Sequence, residues 1–172
     1  MPVNAAALAQ AIVDEFPGDW GWDAGRPNRS WLEAICASFQ TMWTTGVLSP
    51  GLGPPPTALY PHIHSITFAP FTGTLYTPEA IAFVTNIGTV LASNLAAVIT
   101  VIQDGSAPHS HAPFTWPPAA ALSAAIVSGG GASGVGIQPF ADGFAAGLLS
   151  HLQSNAGITA LEAGALHIHT LL

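Results

Sequence analysis

Three His-x-His triplets, His62-Ile63-His64, His109-Ser110-His111 and His167-Ile168-His169, use six of the seven histidines in this chain of 172 residues. Neutral imidazole is a good donor for iron, nickel, copper and zinc. On an extended segment residues i and i+2 leave the backbone on one side, so each triplet offers two imidazoles to one point. Six nitrogens fill an octahedral shell, which suits iron or nickel better than zinc with its usual four ligands. A filled shell leaves no position for water or substrate, so it ties segments together and activates nothing. The candidate ligands are therefore His62, His64, His109, His111, His167 and His169, with iron favoured and nickel or zinc also fitting. Two arrangements stay open: one ion on a pseudo-threefold axis within the chain, or shells built from copies of one triplet across three subunits. The plain alternative is histidines hydrogen-bonded singly at strand ends, and the threefold recurrence argues against it.

The remaining reactive side chains point to quieter roles. His151 stands beside the apolar stripe Phe144, Leu148, Leu152 and reads as a boundary residue. Cys36 has no second cysteine and sits in an apolar helical context, which makes it an inert core thiol. The nine carboxylates are scattered, Asp14, Glu15 and Asp19 near a helix end among them, and read as solvated. No glutamate follows a triplet at cupin spacing, and the His-x-His-x-Asp-His of metallo-β-lactamase-like hydrolases is missing. Gly129 to Gly136 lacks the Gly-Lys-Ser/Thr ending of a phosphate loop and reads as a linker. The expectation is a chain that is not an enzyme, with a histidine-site metalloenzyme as a further alternative.

The elements that must position the triplets repeat along the chain. Asn4 to Val13 is echoed by Ala119 to Val127. In the helices that follow, Trp31, Ile35, Phe39 and Trp43 recur at i+4, as do Phe140, Phe144, Leu148 and Leu152. A third stripe runs Phe83, Ile87, Leu91, Leu95, Ile99, opened by Thr77 as N-cap and Pro78 at the first helical position. Gly18 to Pro27, with Trp20 and Trp22, and Pro50 to Pro56 are breaks. Extended segments are expected around the triplets, above all Tyr60–Phe68 and Gly164–Leu172. The fold class is mainly α with short β segments: internally repeated helix-turn-(His-x-His) units, 1–67, 68–115 and 116–172, in one compact domain over 1–172.

Composition limits the setting. Only 6% of residues are charged, against roughly 25% in an average soluble protein. There is no lysine; Arg26 and Arg29 are the only permanent cations, and the net charge is -7. Nucleic acid is excluded as a partner, because phosphates are held by lysine and arginine. So neutral a surface suits burial among neighbours in an assembly. Ala80 to Ile102, 23 residues without a charge, would span a bilayer as one helix. Asn86, Gly88, Ser93 and Asn94 dilute it and no basic residue flanks it, so a buried central helix is expected and a membrane-embedded protein using 80–102 is the alternative. The N-terminus lacks the basic leader and apolar run of a secretory signal, and none is expected.

The helical patterns Ala-Leu-Ala-Gln-Ala-Ile-Val and Gly-Leu-Leu-Ser-His-Leu-Gln-Ser-Asn-Ala, followed by glycine-bearing turns and His-Ile-His, resemble small virion proteins of tailed bacteriophages. The His-x-His itself resembles the iron-binding motif near the tip of contractile-tail spikes. Those spikes carry one motif on a long β-helical trimer, whereas this chain has three and much helix. The resemblance implies a non-enzymatic structural subunit of a tail, baseplate or neck, assembled in the host cytoplasm into a virion. Its partners would be other virion proteins and copies of itself, with histidines holding a metal.

Overall fold

Asn4 opens the first helix, its side chain accepting the Ala7 N–H at 3.0 Å, as an N-cap must to satisfy a free helical donor. In the computed structural model this helix, α1, spans Ala5–Asp14 and is followed by α2, Pro27–Thr44. The chain continues through β1 (Val47–Ser49), β2 (Pro61–Thr67), α3 (Pro78–Ala96), β3 (Thr100–Gln103) and β4 (Ser110–His111). It ends with α4 (Ala119–Gly130), α5 (Ile137–Asn155), β5 (Ile158–Ala163) and β6 (Leu166–Leu171). The structure describes residues 2–18, 21, 26–49, 61–74, 77–96, 100–103, 110–111, 114–156, 158–163 and 166–171. For 48–49, 61–65, 100–103, 110–111, 158–163 and 166–170 it describes the backbone alone. The protein is mainly α, with five helices and short strands among these residues.

The i+4 stripes become the core. Ile35, Phe39 and Trp43 of α2, Ile87, Leu91 and Leu95 of α3, and Phe140, Phe144, Leu148 and Leu152 of α5 are buried in one apolar cluster. Each such side chain contributes about 1.5–3 kcal/mol by leaving water. The helices pack in a closed circuit: α2 on α1, α1 on α5, α5 on α4, α4 on α3, and α3 back on α2. Small residues permit the closest of these approaches. A Cβ on Gly147 of α5 would overlap the backbone of Ala11 and Ile12 in α1, and one on Gly143 would meet the Phe16 ring at 2.6 Å.

Two expectations are corrected here. Ala80 to Ile102 is not one helix: α3 stops at Ala96 and Thr100–Gln103 is strand, while Ile99 lies outside the described residues. The cause is the run Val98-Ile-Thr-Val-Ile102, five consecutive β-branched residues, which lose rotamer freedom in a helix and fit a pleated sheet. Nor is Gly129 to Gly136 simply a linker, since α4 runs through Gly130 before Gly131 ends it at φ 71°, where glycine has no Cβ to clash. Helical glycines suit this place because a Cβ on Gly130 would meet the Phe83 ring of α3 at 2.8 Å. Thr77 caps α3 as the sequence indicates, its hydroxyl accepting the Ala80 N–H at 3.3 Å. Asn86 donates to the Gly130 carbonyl at 3.0 Å and Asn94 to the Val90 carbonyl at 2.8 Å, so the amides within α3 are satisfied. By length and composition α3 would cross a membrane, yet Ile87, Leu91 and Leu95 lie fully inside the core. The expected breaks at Trp20, Trp22 and Pro50–Pro56, together with Asp19, lie outside the described residues.

The strands form three antiparallel hairpins in sequence order, β1 with β2, β3 with β4, β5 with β6. Strand β2 also pairs with β3, giving a four-stranded sheet ordered β1-β2-β3-β4 beside the two-stranded sheet β5-β6. Strand β6 lies against β1 and α2.

Candidate metal centre

Two triplets stand whole on the second strand of a hairpin, and the described part of the remaining one does so too. His62 and His64 are on β2, His111 is the last residue of β4, and His167 and His169 are on β6. His109 lies outside the described residues. The register is informative where it is complete. His62 pairs with Ile102 and Ile102 pairs with His111, so His62 and His111 share one cross-strand row and therefore one face of the sheet. Their Cα atoms are two strand spacings apart, about 10 Å. His64, at i+2 from His62, shares that face and pairs with Thr100. On the third hairpin His167 pairs with Glu162 and His169 with Ala160. Glu162 is the only charged residue in the six strands.

The strands that carry the triplets enter the core at one place. Phe68, four residues past His64, stacks on Trp43 with ring centroids 5.5 Å apart, and Phe114, three past His111, meets the same indole edge-on at 5.8 Å. Leu171, two past His169, is buried beside Gly46, where an added Cβ would lie 2.7 Å from its Cδ1 and 2.5 Å from the Phe68 ring. Trp116 joins the cluster at 6.0 Å from Trp43. At about 3.3 Å per residue, His64 stands roughly 13 Å before Phe68 and His169 roughly 7 Å before Leu171 along the extended chain. The backbone thus brings His62, His64 and His111 into one sheet and starts β6, with His167 and His169, from the same base.

His151 lies elsewhere, and the structure corrects its assignment to a boundary. It is 6% exposed on α5, and its Nε2 accepts the Asn4 N–H at 3.5 Å at the mouth of α1. Gln40 of α2 accepts the neighbouring Ala5 N–H at 3.0 Å, so side chains from two other helices close the α1 N-terminus. Burial holds the His151 pKa below the usual imidazole value. Cys36 is fully buried and its thiol is pushed up to about 12, by burial first, with nearby Arg29 opposing the shift and Glu33 adding to it. It is the inert thiol that the sequence indicates.

The polar groups of the helical layer serve packing. Arg29 bonds Glu33 at 2.8 Å and Gln10 at 3.2 Å, and Gln10 bonds Asp14 at 2.7 Å, which links α1 to α2. Ser123, buried on α4, donates to Asp142 of α5, and Gln138 donates to both, at 3.0 Å to Ser123 and 2.8 Å to Asp142. Sequence reasoning missed this triad, since its members are 15 and 19 residues apart and only the α4–α5 turn brings them together. Two hollows on this layer, about 20 Å³ beside Trp31, Ser38 and Thr72 and about 270 Å³ over Pro27, Asn28, Trp31 and Ala80, are lined without a titratable side chain.

Compared with protein-family models, curated proteins and solved structures, the chain matches none.

Proposed function

We propose that this chain is a non-enzymatic structural subunit of a phage particle, in its tail, baseplate or neck, clipped by a transition metal that its histidines hold. The observation that carries the reading is that His62 and His64, His111, and His167 and His169 stand on the second strands of three hairpins whose bases meet near Trp43. A set of strands this short has little stability alone, and a metal cross-link would supply what a small sheet lacks. The proposed ligands are His62, His64, His109, His111, His167 and His169, and the ion iron, with nickel or zinc fitting the same donors. The chain is read as one compact domain of three units, 1–67, 68–115 and 116–172, each of one or two helices and a hairpin. Its sparsely charged surface supports burial against other virion proteins and against its own copies, and the shortage of lysine and arginine argues against nucleic acid. We read α3 as a core helix and not a membrane span, because its amides are satisfied within the protein.

Two measurements test this. Elemental analysis of untagged protein is expected to find tightly held iron, nickel or zinc, and chelation is expected to lower the melting temperature. A metal content near zero, with melting unchanged on adding each metal, removes the clip. Mass spectrometry of purified particles is expected to find the chain at fixed copy number, and its absence from them removes the virion assignment.

A further inference from the structure

We draw no further inference here: the strongest candidate, the uncharged outward faces of α3 (Ala82, Thr89, Ser93) and α4 (Ala121, Ala124, Ser128), is a patch of small exposed residues, and nothing in the structure shows what covers it.

Discussion

His151 is where a single proton has the clearest structural consequence. Its neutral ring accepts the N–H of Asn4, the N-cap of α1, at the positive end of that helix dipole, and a second proton would remove the acceptor and set a cation against that donor. Because the folded-state pKa lies below the ordinary value of 6.5, the unfolded chain takes up the proton first as pH falls. The stability conferred by the buried neutral ring is therefore complete above about pH 6.5 and is lost as pH drops through the lowered value. His151→Gln keeps an acceptor and removes the titration. Urea midpoints of the metal-free protein between pH 7.5 and 4.5 are expected to fall less steeply for this variant than for the parent; parallel profiles would show that His151 is not the acid-sensitive group. At the same scale, Glu162 stands across from His167 in the β5–β6 register, where under the proposed clip a carboxylate would orient a ligating imidazole. Glu162→Gln is expected to weaken metal retention about 10-fold or more with unchanged helical circular dichroism, and unchanged affinity would assign the residue to the solvent face.

Between elements, the contact of α1 with α5 depends on glycine. The site of Gly147 has the α1 backbone where a side chain would begin, and backbone cannot rotate away as a flexible side chain can. Gly147→Val is expected to destabilise by about 1–3 kcal/mol or more, read as a lower urea midpoint with the slope retained. Val135→Ser, at a fully exposed position between α4 and α5, should stay within about 0.5 kcal/mol. A Gly147 variant as stable as the parent would mean that the two helices do not approach this closely. This contact also marks how far the sequence could be read. The i+4 stripes at Trp31 to Trp43 and Phe140 to Leu152 gave their helices because burial on one face needs that period, and Thr77-Pro78 gave a helix start because capping is local. The extended triplets were legible through their alternation, as β2 and β6 show. Their partners were not: β1, β3 and β5 have no distinctive period, and the β-branched run ending at Ile102 was outweighed by the apolar stripe running into it. The shared row of His62 and His111 was illegible as well, since it depends on β3 pairing on both sides at once. So did the burial of His151 escape notice, because what surrounds it is the start of α1, 147 residues away.

At the scale of the molecule, the surface is governed by scarcity of charge. Eleven charged residues serve 172 positions, and of the two arginines one, Arg29, is buried in the α1–α2 contact. What keeps copies apart in solution is therefore the net charge of -7, spread over few carboxylates, and little else. That repulsion weakens as the carboxylates and histidines take up protons, and it vanishes near the isoelectric point of about 5.2. Neutral polar and apolar surface then meets without opposition, and the chain has no lysines with which to insulate it. Static light scattering is expected to give a weight-average mass above that of one chain at neutral pH, rising further from pH 7 to pH 5.5. Added salt should favour association slightly, because it screens repulsion and has few ion pairs to break. If the proposed metal shell lies within one chain, chelation should leave the weight-average mass at pH 7 unchanged while it lowers the melting temperature. A monodisperse monomer at high concentration over the whole pH range would count against an assembly subunit. A fall to monomer on chelation would place the ion between copies instead.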